Sequence, residues 1–219
     1  MSINIEQARY NMIEQQVRTW EVLDPAVLDA MREVPREDFV PARYRRLAFS
    51  DLRIPLAHDQ TMMKPIEEGR MLQSLQIGPG QRVLEIGTGS GFTAACLVHL
   101  GAEVVSVEIH EGLAEGARKH LKRLAVAGVE VIHADALRDF DPDGRFDALM
   151  VTSSSAKVPE RFLDWVGEGG RLFAVRGHGP AMEAVCLTKI SAEHWHTESL
   201  FETDLPRLVG AEDKPVFEF

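Results

Sequence analysis

Apolar residues in the first third of the chain return at helical intervals. Ile5, Ala8, Met12 and Val17 recur among Glu, Gln and Arg, which predicts an amphipathic helix over residues 4–19. Asp24-Pro25 restarts a helix, with an N-cap acid and proline at the first helical position. Val27, Leu28 and Met31 give its apolar face. Val34-Pro35-Arg-Glu-Asp-Phe39-Val-Pro41 breaks that helix, and Tyr44, Leu47, Ala48 and Phe49 form one more short apolar piece. No strand period appears here, so a helical extension is expected. Residues 50–66 mix polar groups with two prolines. They read either as a collar across a functional site or as a plain connector, ahead of a helix over Glu67–Leu75.

From residue 82 the pattern changes. Val83-Leu84 with Ile86, then Val104–Val107, are apolar runs without alternation, which suits strands buried on both faces of a parallel sheet. Glu130–His133, Phe146–Val151 and Arg171–Val175 read as further strands, separated by helices over Phe92–Leu100, Leu113–Ala125 and Val158–Val166. Thr152-Ser153-Ser154-Ser155 and Glu168-Gly169-Gly170 read as turns. Glu183–Ile190 and Trp195–Glu202 read as two antiparallel strands at one sheet edge. The expected fold is α/β, a Rossmann-like doubly wound mixed sheet over residues 67–219. Residues 1–66 form the N-terminal helical extension and the loop, and antiparallel strands close the C-terminal side.

Length and charge narrow the picture. The 219 residues suffice for one α/β domain with an extension, and the net charge of -10 comes with no basic run. Nucleic acid is therefore not expected as a partner, because phosphate neutralisation needs clustered Lys and Arg. Met1-Ser-Ile-Asn-Ile-Glu-Gln has no signal-peptide pattern, and no apolar stretch reaches membrane-spanning length, so a cytoplasmic enzyme without a membrane partner is expected. Cys96 and Cys186 sit in apolar runs and read as core thiols. No metal is expected: His194 and His196 flank Trp195 on one strand, and two histidines fill too few ligand positions.

Candidate chemistry is concentrated in Arg82-Val-Leu-Glu85-Ile-Gly87-Thr88-Gly89-Ser90-Gly91-Phe92. A strand that turns through three glycines into a helix lets backbone approach a ligand and aims helix N–H groups at it. The dinucleotide fingerprint Gly-x-Gly-x-x-Gly would put its third glycine where Phe92 stands. Glu85, ahead of the loop, would repel a pyrophosphate and suits a cationic ligand group. An NAD-dependent oxidoreductase is accordingly disfavoured. Glu108 ends the next apolar run, where a carboxylate can accept hydrogen bonds from both ribose hydroxyls. Acid–Gly-x-Gly-x-Gly, then an acid at the next strand end, resembles the S-adenosylmethionine site of class I methyltransferases. That resemblance implies that Glu85 and the backbone of Gly87, Thr88, Gly89, Ser90 and Gly91 hold the amino-acid end of the cofactor. Glu108 then takes the ribose, and Ile109 packs on the adenine. Asp135, followed by Ala136, either meets the adenine amine or caps the next turn, and one residue can do both.

The chain as a whole is similar to the protein-L-isoaspartate O-methyltransferases. The likeness rests on Met12-Ile-Glu-Gln-Gln-Val17, Val22-Leu-Asp24, Val27-Leu-Asp-Ala-Met31, Val34-Pro-Arg-Glu-Asp-Phe-Val-Pro41, Ala48-Phe-Ser-Asp51, Ile54-Pro-Leu56, Gln60-Thr61, the glycine loop and Gly169-Gly-Arg-Leu172. It implies methylation of the free carboxylate of an isoaspartyl residue, the first step of protein repair, with S-adenosylhomocysteine as the spent cofactor. It also implies that Thr61 and Thr152 lie nearest the reacting centre and that Asp51 orients the loop or the acceptor. Departures fall on the acceptor side. Met63 stands where the family has a serine at the methyl-transfer site, the family's Gly-Asp-Gly is Ala134-Asp135-Ala136, and its alanine-rich turn is Thr152–Ser155. The partner is thus a peptide or protein carboxylate or, alternatively, a small-molecule acceptor, for which His58 would be the natural base. His178 is a second loop histidine placed near the site. A cofactor-binding protein without repair activity is the remaining alternative, and either a monomer or a dimer is expected.

Overall fold

The computed structural model describes residues 4–212. Residues 1–3 of the expected extension, and 213–219, lie outside the described residues.

Helix α1 (Ile5–Met12) begins where the Asn4 side chain accepts from the Gln7 N–H. It does not run on as one α-helix to residue 19. A π turn over Ile13–Val17 and a 3-10 turn over Arg18–Trp20 follow, and the chain leaves through Glu21 at φ 61°. The π turn buries Ile13 and Val17, next to Met12 at the end of α1. Helix α2 (Pro25–Glu33) starts as expected, with Asp24 accepting from the Ala26 N–H. Short 3-10 turns at Arg36–Asp38 and Ala42–Leu47 then carry the chain into residues 50–66, where the sequence predicts loop and the structure has a small hairpin. Strands β1 (Ile54–Pro55) and β2 (Thr61–Met62) pair antiparallel, Ile54 opposite Met62, around a tip at His58 and Asp59. Helix α3 (Pro65–Leu75) begins two residues before the expected start. Proline occupies its first turn, and Glu67 accepts from the Lys64 N–H.

Seven strands make the sheet: β3 (Arg82–Ile86), β4 (Glu103–Glu108), β5 (Val129–His133), β6 (Phe146–Ser155), β7 (Val166–Arg176), β8 (Met182–Lys189) and β9 (Trp195–Thr203). Helices α4 (Phe92–His99), α5 (Glu111–Arg123) and α6 (Glu160–Asp164) lie between them. The order is β5-β4-β3-β6-β7-β8-β9, parallel from β5 through β7 and antiparallel for β8 and β9. This is the expected doubly wound mixed sheet. The strand order reverses between β3 and β6, so the carboxyl ends of β3, β4 and β6 open a crevice there.

Two local expectations need correction. Thr152–Ser155 is the end of β6 and not a turn, because Ser154 and Ser155 pair with Val175 and Arg176. The Thr152 hydroxyl donates to the Gly87 carbonyl and the Ser154 hydroxyl to the Leu205 carbonyl, so these two side chains are satisfied within extended backbone. Glu168–Gly170 lies within β7 at a register shift against β6, and it shortens α6 to one turn and a half.

Strand alternation divides the core. Val83 joins one apolar cluster, with Met12, Val17, Met31, Leu72 and Phe173; Leu84 and Ile86 join another, with Phe146, Phe162 and Trp165. The helical extension therefore shares its core with the sheet. One buried group fastens the two. Arg36, with no exposed surface, donates to the Ala48 carbonyl through Nε at 2.8 Å, to the Met63 carbonyl through Nη2 at 2.8 Å and to the Glu68 carboxylate through Nη1. Its guanidinium also lies 4.8 Å from the centre of the Phe92 ring. Removing one member of such a pair leaves the other buried and uncompensated. Arg36→Met should destabilise the chain by about 3–5 kcal/mol, and Arg36→Met combined with Glu68→Leu by less than Arg36→Met alone. Urea unfolding of the three proteins checks this.

Candidate active site

At the carboxyl ends of β3, β4 and β6 lies a cleft of about 820 Å³. The glycine loop forms its floor. Gly87 at φ 95° follows β3, and a Cβ on it would come within 2.3 Å of the Thr152 hydroxyl oxygen. No side chain fits there. Thr152 Oγ1 instead donates to the Gly87 carbonyl at 2.7 Å, which ties the loop to β6. Gly91, the N-cap of α4, faces away from the cleft lining and brings α4 against Ala117 of α5.

Glu108 ends β4 at the cleft wall. Its Oε2 accepts from the Gly89 N–H and its Oε1 from the His110 N–H, each at 2.9 Å. Each carboxylate oxygen keeps a lone pair for a further donor. Ile109, Asp135 and Ala136 line the same end. Asp135 accepts from the Leu137 N–H at 2.8 Å, so its capping role is real, and it still faces the cleft. Thr61, Met62 and Met63 reach the cleft from the hairpin, whose Leu56 lies over the glycine loop, 3.3 Å from where a Gly89 Cβ would be. The Met63 side chain is buried, so this wall is apolar.

Glu85 is placed differently from the sequence expectation. Strand alternation turns it, with Val83, toward α4, and it does not line the cleft. Its carboxyl accepts from Thr93 and, at 2.5 Å, from Ser106, which is itself 2.5 Å from the Thr88 hydroxyl. Glu85 thus braces the loop from beneath. Burial pushes its carboxyl up to about 7, against those two hydrogen bonds. Asp51 is exposed and also lies outside the cleft lining, as does His178. His58, at the hairpin tip, stacks flat on His110, with ring centres 4.3 Å apart.

The lining also includes Glu68, His110 and Arg207, which the sequence reading does not place in the site, and Ser153 of the hydroxyl-rich run. Among the described residues, neither the buried Ser153 Oγ nor the buried His110 Nε2 has a hydrogen-bond partner. Buried polar atoms without partners are rare, and these two lie where a ligand would supply them. Glu68, Glu108 and Asp135 make the lining acidic. Glu68 is pushed up to about 7 by burial, with Arg36 opposing. A glycine cradle, an accepting carboxylate and an acidic wall fit a ligand with a ribose and a cationic group.

A carboxyl that titrates near 7 when folded and near 4.5 when unfolded favours folding fully below pH 4.5. That contribution is lost as the pH rises through 7. Glu85→Gln should therefore lose less stability between pH 5 and 8 than the parent chain, by on the order of 3 kcal/mol, in urea titrations at the two pH values. Glu108→Ala should weaken S-adenosylhomocysteine binding by at least about tenfold in calorimetry, since two loops lose their common acceptor along with the ligand's.

The comparisons with known proteins agree. The family model for Protein-L-isoaspartate(D-aspartate) O-methyltransferase matches residues 7–198. The chain is 41% identical to the protein-L-isoaspartate O-methyltransferase of Methanoculleus marisnigri over 181 residues, 83% of this chain and 82% of that one. It is 37% identical to protein-L-isoaspartate O-methyltransferase 1 of Rhodopseudomonas palustris over 205 residues, 93% of this chain and 84% of that one. A Plasmodium falciparum protein described as a protein-L-isoaspartate O-methyltransferase, crystallised with S-adenosyl-L-homocysteine, has the same fold. Its TM-score is 0.78 at 20% identity, covering 94% of this chain and 99% of that one. The chain belongs to the protein-L-isoaspartate(D-aspartate) O-methyltransferase family, and it is a methyltransferase with S-adenosylmethionine as its cofactor.

Proposed function

We propose that the cleft holds S-adenosylmethionine along the glycine loop and that the chain methylates the free carboxylate of isoaspartyl residues in peptides and proteins. The observation that carries this reading is Glu108, which clamps Gly89 and His110 while keeping acceptor capacity toward the cleft. Bound there, the cofactor supplies a sulfonium methyl group, taken up in line by an acceptor oxygen to give a methyl ester and S-adenosylhomocysteine.

The chain's own residues divide the work. Glu108 accepts from the ribose hydroxyls, Asp135 from the adenine amine, and Ile109 packs on the adenine face. The backbone of Gly87–Ser90 follows the amino-acid end. Glu85 acts indirectly, by fixing Thr88 and α4 under the loop through Ser106 and Thr93. Thr152 has its hydroxyl hydrogen committed to the Gly87 carbonyl, so it shapes the loop and takes no proton from substrate. Thr61, Met63 and Ser153 form the acceptor side. An α-carboxyl has a pKa of roughly 3.3–3.7, so the acceptor arrives ionised. It needs no general base, only alignment within about 3–3.5 Å of the methyl carbon and exclusion of water. Leu56, Met62 and Met63 supply the apolar wall for that exclusion. The net charge of -10 supports a protein partner over nucleic acid. No helix among the described residues is long and apolar enough to cross a membrane.

The buried thioether of Met63 favours one other reading, a small apolar carboxylate as acceptor. Methyl transfer from labelled S-adenosylmethionine to an isoaspartyl peptide, against the normal aspartyl peptide, decides between them. Isoaspartyl-dependent labelling is expected. Tight cofactor binding with no labelling of either peptide, but with labelling of small carboxylates, would overturn the repair reading.

A further inference from the structure

Glu68, Glu108 and Asp135 line the cleft, and two of these carboxylates already have tasks. Glu108 ends β4 and Asp135 follows β5, at the end proposed for ribose and adenine. Glu68 comes from α3, outside the sheet, and no step of the methyl transfer uses it. Its place follows from Arg36, which donates to Glu68 and lies 4.8 Å from the centre of the Phe92 ring. Phe92 opens α4 directly after the glycine loop, and it lines the cleft with Thr93 and Met63. Glu68 therefore stands at the end of the cleft where the glycine loop turns into α4.

A carboxylate in this position has unmet capacity. Glu68 is 2% exposed, and Arg36 Nη1 donates to its Oε2. No donor among the described residues reaches Oε1. Both oxygens of a carboxylate accept, so one stays open on a side chain that lines the cleft. Burial pushes the group up to about 7 in spite of Arg36, so that one guanidinium offsets its desolvation only in part. A second cation completes the compensation. The other buried acid near the loop, Glu85, has one oxygen on Thr93 and the other on Ser106, and it lies outside the lining.

We propose that Glu68 receives the α-ammonium group of the methyl donor on its open oxygen, the task for which the sequence offers Glu85. This rests on reading the cleft as the donor site, with the amino-acid end of the donor along Gly87–Ser90. It joins the donor and acceptor sides through one ion pair, because Arg36 also holds the Met63 carbonyl at 2.8 Å.

The test uses the full chain and measures binding by calorimetry at neutral pH. The probes are S-adenosylhomocysteine, the same molecule without its amino group, methylthioadenosine, which lacks the whole amino-acid end, and S-adenosylmethionine. The parent chain is expected to bind S-adenosylhomocysteine at least about tenfold more tightly than the deaminated analogue, the scale of a charge-assisted pair. Glu68→Gln should bring that ratio to about one, while Glu85→Gln should keep it. Methylthioadenosine affinity should be the same in the parent and in Glu68→Gln, which reports that the cleft is intact. Should Glu68→Gln not fold, Arg36→Met combined with Glu68→Leu removes both charges and should also give a ratio of about one. A Glu68 variant that still prefers the amino group, or a parent chain indifferent to it, overturns the inference alone. A loss in Glu68→Gln that falls on S-adenosylmethionine and spares S-adenosylhomocysteine also overturns it, because the sulfonium is then the contact. A parent chain that binds none of the four probes overturns the donor site and the inference with it.

Discussion

The buried guanidinium of Arg36 is the constraint on which the arrangement depends. Taking a charge out of water costs several kcal/mol, and only matched partners offset it. Its partners come from separate segments: the carbonyl of Ala48, the carbonyl of Met63 at the end of the hairpin, and the carboxylate of Glu68 in α3. Phe92, at the start of the helix behind the glycine loop, lies under its face. One side chain therefore fixes the distance between the helical extension, the hairpin and the floor of the cleft. The hairpin strands are two residues long and could not hold their place alone. They are held by Arg36 on one side and by Arg53, through Glu67 and Thr203, on the other.

The cradle for the cofactor draws on a different set of contacts. Thr152 to Gly87, Glu108 to Gly89 and His110, and the buried chain Thr88–Ser106–Glu85–Thr93 all link neighbouring strand ends to the glycine loop. These bonds follow from the register of β3 between β4 and β6. The loop's shape is thus a property of the sheet, and the loop is preorganised before any ligand arrives.

Much of this was legible in the residues. Unbroken apolar runs announced the parallel strands, and three glycines with an acid at the next strand end located the cleft. Asp24-Pro25 marked a helix start that the structure reproduces. The misplacements share a physical origin. Glu85 reads as a ligand contact because an acid in an apolar run demands a partner, yet its partners, Thr93 and Ser106, sit on another helix and another strand. Alternation from Val83 was the available signal, since it turns Glu85 to the core side. Thr152–Ser155 reads as a turn because hydroxyls favour turns, but here the Thr152 and Ser154 hydroxyls donate to the Gly87 and Leu205 carbonyls within extended backbone. Arg207 carried no local signal. The bridge to Ser154, across more than fifty residues of chain, brings it to the cleft.

The separation between cradle and acceptor wall has an evolutionary consequence. The residues proposed to grip the cofactor are cross-braced, so a substitution at one of them disturbs several bonds at once. The proposed acceptor wall is assembled from a two-residue strand, Thr61–Met62, its neighbour Met63, and the segment after β9, all of which line the cleft. Side chains there project from segments whose backbones are anchored by other groups, such as the Met63 carbonyl on Arg36 and the Leu208 N–H on Ser154. A new side chain on that wall changes which molecule is recognised without loosening the grip on the methyl donor. The scaffold can therefore diversify its acceptors by single steps, each of which passes through a folded, donor-binding intermediate.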